Sequence, residues 1–78
     1  MTSYEKAQLA ISSLKGAIYE VLEQAPESGL KNVEIGKKLG IYMGHIGHQG
    51  HISRTCLETT KNEGVVKQNE ETRTWSLV

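Results

Sequence analysis

Residues 44–52 read GHIGHQGHI, three Gly-His-x triplets that contain every histidine of the chain: His45, His48 and His51. Imidazole at a repeated spacing of three suits three kinds of chemistry. It can ligate a metal, act as a general base, or donate hydrogen bonds and take up charge beside phosphates. A His-x-x-His pair can hold one ion on a helix. His45 and His51, however, would stand about 9 Å apart along a continuous helix axis, at about 1.5 Å per residue, too far for all three to share an ion. No cysteine pair and no aspartate completes a ligand set, so the expectation is no metal and no cofactor. A catalytic histidine needs partners, and no nucleophile pattern, phosphate loop or paired carboxylates accompanies these. The chain has no aspartate at all, and its 78 residues leave little room for an enclosed pocket. The expectation is a protein that is not an enzyme.

Binding to nucleic acid accounts for the glycines as well as the histidines. Gly44, Gly47 and Gly50 let the main chain approach phosphates closely, with a histidine donor beside each. The segment leads into a helix whose N-terminal dipole end attracts anions. A plainer account is that the glycines let two helices pack closely while the histidines are solvated or satisfied in the core.

The distribution of charge bears on that choice. Lysine plus arginine balance glutamate at nine each, so the strongly basic footprint of many nucleic-acid binders is missing. Residues 1–36 carry a net of −2 and residues 62–78 a net of −1, whereas residues 37–61 carry +3 from Lys37, Lys38, Arg54 and Lys61 against Glu58. The histidines lie in the positive middle. The lone Cys56 has no partner for an internal disulfide and reads as a small core residue. No apolar run is long enough to span a bilayer and no signal segment opens the chain, so a soluble, cytoplasmic protein without membrane contact is expected.

The elements that must position these residues read as follows. Helix 1 spans about 2–25, with Thr2 as N-cap and Glu5 completing a capping box. Tyr4, Ala7, Ile11, Leu14, Ile18 and Val21 recur at steps of three and four and form one apolar stripe. A helix of over twenty residues is long for so small a domain, which suggests that part of the stripe pairs with a second copy. Helix 2 spans about 32–39, from Asn32 as N-cap to Gly40 as stop, with Val33, Ile35 and Leu39 toward the core. A third helix spans about 48–63, with Ile52, Cys56, Leu57 and Thr60 inward and His51, Arg54, Thr55 and Glu58 outward. Gly64 ends it. Residues 65–78 then read as a hairpin, VVKQ and RTWSLV around a polar NEET turn.

The segments NVEIGKKLGI, HISRTCLETTKNEGVVKQ and TRTWSLV, in that order, resemble the winged helix-turn-helix domains of bacterial and archaeal transcription regulators. The ISRT…L…T…EGVV pattern is similar to that superfamily's recognition helix and its exit into the wing. The resemblance covers nearly the whole chain. It implies an α+β, mainly α fold: one three-helix domain over residues 1–78 with a C-terminal β-hairpin wing. Three departures stand out: Thr60 replaces a usual leucine, the connector GIYMGHIGHQG is long, and the turn of the wing is acidic.

The resemblance further implies sequence-specific binding of double-stranded DNA, as a transcriptional regulator or a DNA-targeting module, with the third helix in the major groove. His51, Arg54 and Thr55 are the expected base contacts. Lys37, Lys38, His45, His48, Gln49, Lys61 and Arg73 are the expected phosphate contacts. A homodimer through helix 1 is expected as well. The competing reading is a winged-helix module that binds another protein and no DNA, which zero net charge, the acidic turn and the striped first helix would favour.

Overall fold

The computed structural model describes residues 1–43 and 49–78. The expectations for His45 and His48 lie outside the described residues. The elements are α1 (Ser3–Glu23), β1 (Leu30–Lys31), α2 (Asn32–Lys38), α3 (His51–Asn62), β2 (Val66–Asn69) and β3 (Thr74–Leu77). Three helices and a C-terminal hairpin give a mainly helical α+β chain of winged-helix-like topology. The sheet has the order β1-β3-β2 and is antiparallel, with Leu30 opposite Trp75 on one side and Gln68 opposite Trp75 on the other.

The helix ends follow from local chemistry. The Thr2 hydroxyl accepts from the Glu5 amide at 3.1 Å and the Glu5 carboxylate accepts from the Thr2 amide at 3.0 Å, the expected capping box. That amide bond, with the Thr2 side chain assisting, holds the Glu5 carboxyl below its usual pKa. At the other end of α2, Gly40 takes φ +70°. Its amide bonds to the Lys37 carbonyl and the Ile41 amide to that of Gly36, so two otherwise orphaned carbonyls are satisfied. The same pair of bonds closes α3, from Gly64 to Lys61 and from Val65 to Thr60.

The core joins every element. Ile18 and Leu22 of α1, Leu30 of β1, Ile35 of α2, Cys56 and Leu57 of α3, Val66 of β2 and Trp75 of β3 are buried together, with Leu14, Val21, Ala25, Leu39 and Leu77 at its edge. Thr60 is buried too, its hydroxyl donating to the carbonyls of Cys56 and Leu57 in its own helix. A threonine at this site therefore meets its hydrogen-bonding needs without a partner from outside the helix.

Expectations for α3 and α2 change, and the stripe of α1 meets the core over only part of its length. The stripe of α1 is only half covered: Tyr4 is 73% and Ile11 47% exposed, and all residues from Ser3 to Ser13 are exposed. The core is too small to reach beyond Leu14. In α3, Ile52 is 41% exposed and Ser53 takes the innermost place at 0%. The helix is rolled so that a polar side chain, not Ile52, meets α2. Asn32, expected as an N-cap, is instead the first residue of α2, and the Glu34 carboxylate accepts from the Lys31 amide at 2.9 Å. β1 was not expected; its two residues extend the hairpin by covering the free edge of β3.

Candidate nucleic-acid interface

α3 is held against α2 by a polar joint. Asn32 Nδ2 donates to the Gly50 carbonyl at 3.1 Å, and Asn32 Oδ1 accepts from the Ser53 hydroxyl at 2.6 Å. One side-chain amide thus engages both the residue that caps α3 and the first turn that follows. Tyr42 wedges in beside it. A Cβ on Gly36 would lie 3.1 Å from Tyr42 Cβ, and one on Gly50 would lie 2.6 Å from Asn32 Nδ2 and 3.0 Å from Tyr42 Cε1. Gly50 also adopts φ +84°, which L side chains rarely accept. Its amide donates to the Met43 carbonyl at 3.2 Å, so the two described ends of the long connector meet at the start of α3. Gly50 therefore serves backbone geometry and close packing, as the plainer account of the glycines required.

With Ser53, Cys56, Leu57 and Thr60 buried, the exposed surface of α3 carries His51, Ile52, Arg54, Thr55, Glu58, Thr59, Lys61 and Asn62. His51, Arg54 and Thr55 are all exposed, but they border different concavities. On one flank, a polar cavity of about 460 Å³ lies between the start of α2, α3 and the hairpin. Lys31, Asn32, Gln49, Arg54, Gln68 and Arg73 supply its polar lining, Glu58 adds one carboxylate, and Tyr42 and Trp75 form aromatic walls with Val33. On the other flank, His51 and Thr55 border an apolar groove between α1 and α3, lined by Ile11, Leu14, Ile52 and Cys56 with Lys15 and Thr59.

The expected phosphate contacts also divide. Gln49 and Arg73 stand at the polar cavity with Arg54. Lys37 holds its ammonium 5.7 Å from the centroid of the Tyr42 ring, a cation–π distance next to the same cavity. Lys38 is not brought to this group: it lies with Val21, Gln24, Ala25, Pro26, Leu30 and Glu34 beside the C-terminal end of α1. Lys61 is exposed in the last turn of α3, where a cation favours the helix dipole.

Arg73 reaches the cavity from a constrained backbone. It has φ +62°, the one positive value among the described residues other than glycine. The turn is fixed by Asn69, whose side-chain oxygen accepts from the amides of Glu71 at 2.9 Å and Thr72 at 3.3 Å while its carbonyl accepts from Arg73 at 2.7 Å. A non-glycine residue here carries a conformational cost, and glycine would fit with less strain.

Among the described residues no three His, Cys, Asp or Glu side chains gather where an ion would sit. Burial pushes the Cys56 thiol above its ordinary pKa, with Lys15 opposing the rise and Glu63 adding to it; a neutral, covered thiol is a poor nucleophile. Lys15 is paired with Glu63 at 3.0 Å, tying α1 to the end of α3. No helix is long and apolar enough to cross a membrane among the described residues.

Sequence reasoning missed Lys31, Asn32, Tyr42, Gln68 and Trp75 as lining residues of the polar cavity. Gln68 stands opposite Trp75 through the β2–β3 hairpin, whereas Lys31 comes opposite Thr74 only because β1 also pairs with β3, and nothing in a two-residue strand signals that second pairing in advance. No family model matches the chain, and neither a curated protein nor a solved structure shows significant similarity to it.

Proposed function

We propose that the chain binds double-stranded DNA in the manner of winged helix-turn-helix regulators, with α3 in the major groove and the hairpin beside it. The observation that carries this reading is the convergence of Arg54 from α3, Arg73 from the hairpin turn and Lys31 from β1 on one open polar cavity beside the exposed face of α3. Arg73 and Lys31, with the amides of Asn32, Gln49 and Gln68, form a surface that suits a phosphate backbone, and Arg54 stands where that surface meets the exposed face of α3. The lining holds one carboxylate against them, Glu58, so a positive field remains although the whole chain is neutral.

In this reading His51, Arg54 and Thr55 face base edges, Arg54 in the bidentate geometry that favours guanine. Gln49, Lys37, Lys61 and Arg73 set position on the backbone, and Lys38 contributes least because it lies apart. His45 and His48 keep their proposed phosphate role from the sequence alone. The protein acts in the cytoplasm as a transcriptional regulator or as the DNA-targeting part of a larger system, as a homodimer, and it binds without catalysing. Two copies would present two α3 helices to two half-sites, which calls for a target with two-fold symmetry.

A second reading, a module that binds another protein and no DNA, is favoured by the apolar groove on the opposite flank of α3 and by the acidic Glu70–Glu71 turn. Selection from a pool of random duplexes, followed by affinity measurements across salt, separates the two. DNA binding predicts an enriched motif and a logarithmic salt slope of about −0.9 for each phosphate neutralised. Failure to retain any duplex at low salt would leave the protein-binding module as the better account.

A further inference from the structure

The groove between α1 and α3 and the uncovered half of α1 belong to a single apolar stripe. Tyr4, Ala7, Ile11, Leu14, Ile18 and Leu22 follow one another at steps of three and four, so they share a helix face. Ile18 and Leu22 are buried in the core and Leu14 borders it, while Tyr4 and Ile11 are exposed. Ile11 has a double place: it lines the groove with Leu14, Ile52 and Cys56, and it belongs to the exposed stretch Ser3–Ser13. Among the described residues, none covers this stretch. It nonetheless begins with a full capping box, so its helical form does not depend on tertiary contact alone.

We propose that the groove is filled by the exposed half of α1 from a second copy, about a two-fold axis passing near Ile11. In such an antiparallel arrangement Tyr4 and Ala7 of each copy lie along Leu14, Ile52 and Cys56 of the other. The proposal rests on the assembly part of the reading above and gives it an interface; it does not require DNA. Two arguments select a second copy over an unrelated partner. The first is reciprocity: one molecule carries both an unfilled apolar groove and an uncovered apolar helix end, joined at Ile11, and a two-fold rotation there satisfies both at once on both copies.

The second argument is area. A helix 10–12 Å across that loses half its girth over about 16 Å hides on the order of 300 Å². Two-fold exchange hides that much on each helix end and on each groove, for a total on the order of 1,200 Å², just above the ~1,000 Å² that a specific interface requires. A single helix docking from an unrelated partner would fill the groove but leave the α1 end exposed, with about half that total.

Because His51 and Thr55 stand on the rim of the groove, the second copy would lie beside them and leave the Arg54 flank open. The interface therefore reaches the edge of the surface assigned to base reading.

Sedimentation equilibrium without DNA tests the proposal. The wild-type chain is expected to be dimeric at micromolar concentration, Ile11→Glu monomeric but still cooperatively folded, with a melting temperature no longer dependent on concentration, and Tyr4→Ala at least tenfold weaker in association. Placement is tested by mild oxidation: Ile11→Cys should give a disulfide-linked dimer, while Leu9→Cys, on the other side of α1, should not. A wild-type monomer up to 100 µM, or a dimer indifferent to Ile11→Glu, overturns the proposal. Since none of these measurements involves DNA, they can fail while duplex binding succeeds, and the reverse.

Discussion

The hydroxyl of Ser53 donates to Oδ1 of Asn32 across 2.6 Å, joining α2 to α3 over 21 positions of sequence. Ser53 is fully buried and Asn32 partly so. This bond, with the one from Asn32 Nδ2 to the Gly50 carbonyl, fixes how α3 is rolled, and the roll decides which side chains face outward. Arg54 directly follows Ser53. A polar anchor one residue before the candidate base-reading arginine ties that arginine's direction to α2.

Asn32→Ala removes the acceptor and the donor that tie α2 to α3 and leaves the Ser53 hydroxyl only its longer 3.3 Å bond to the Gly50 carbonyl. A loss of about 1–3 kcal/mol in unfolding free energy is expected. Ser53→Ala should also destabilise. The double variant should lose less than the sum of the two, with a coupling of about 1 kcal/mol, because each change already disables the shared bond. Urea denaturation of the four proteins measures this, and strict additivity would show that the bond does not hold the two helices.

Gly40 and Gly50 both have positive φ, yet only Gly50 is crowded: a Cβ at Gly40 would meet nothing within 4 Å. Gly40→Ala should thus cost about 1–2 kcal/mol for backbone conformation alone. Gly50→Ala should cost distinctly more, since the new methyl must displace Asn32 or Tyr42. Thermal melts of the pair separate strain from collision. Equal losses would mean that the packing at Gly50 yields easily.

Burial raises the Cys56 thiol above its ordinary value of 9.0. The unfolded chain therefore loses this proton first as pH rises. The stability that the neutral thiol contributes is full below the unfolded pKa and falls away through the folded one. Stability should decline on the alkaline side of pH 9, and Cys56→Ala should flatten that decline relative to wild type. Alkylation by iodoacetamide at pH 7.5 should be slow in the folded protein and fast in urea. Rapid labelling of the native chain would contradict a covered, protonated thiol.

Much of the fold could be read from the residues because its signals are local. The Thr2–Glu5 capping box, the Gly40 and Gly64 stops and the alternation around Trp75 each declare an element within a few positions. Burial is another matter, since it depends on what lies opposite. The stripe of α1 has the same spacing above and below Leu14, and only the size of the core decides that Ile18 is covered and Tyr4 is not. Ile52 and Ser53 pose the same difficulty. Hydropathy favours Ile52 for the inner face, but Asn32 waits 21 positions earlier with an acceptor for Ser53. At the candidate site, Arg54 and Arg73 were recognisable by type. Gln68 joins them through the hairpin, which the residues declare; Lys31 joins them only through the β1–β3 pairing, which a two-residue strand does not announce. Of the triplets, Gly50 answers to backbone geometry and packing, and His51 opens α3.

Arg73 offers the sharpest separation of stability from binding. Its backbone sits at φ +62°, where a side chain costs about 1–2 kcal/mol relative to a right-handed conformation. Glycine removes that strain but gains freedom in the unfolded chain, which offsets part of the benefit. Arg73→Gly should therefore leave stability unchanged or raise it by up to about 1 kcal/mol, since the Asn69 bonds that hold the turn use main-chain amides. If Arg73 meets a phosphate from the polar cavity, the same change should weaken duplex binding across all sequences and reduce the salt slope by about one. Arg54→Ala should behave differently, with a loss of about 1–3 kcal/mol concentrated on the preferred site and relaxed choice at one base pair, as expected of a base contact. Its folding should be nearly intact, because the Arg54 side chain is exposed. His51→Ala should act in the same direction as Arg54→Ala. Fluorescence anisotropy with one specific and one scrambled duplex, beside a melting curve for each variant, reads all of these together. A stable Arg73→Gly protein with undiminished affinity would remove the hairpin turn from the DNA surface. Unchanged affinity in Arg54→Ala and His51→Ala as well would transfer the case to the protein-binding module.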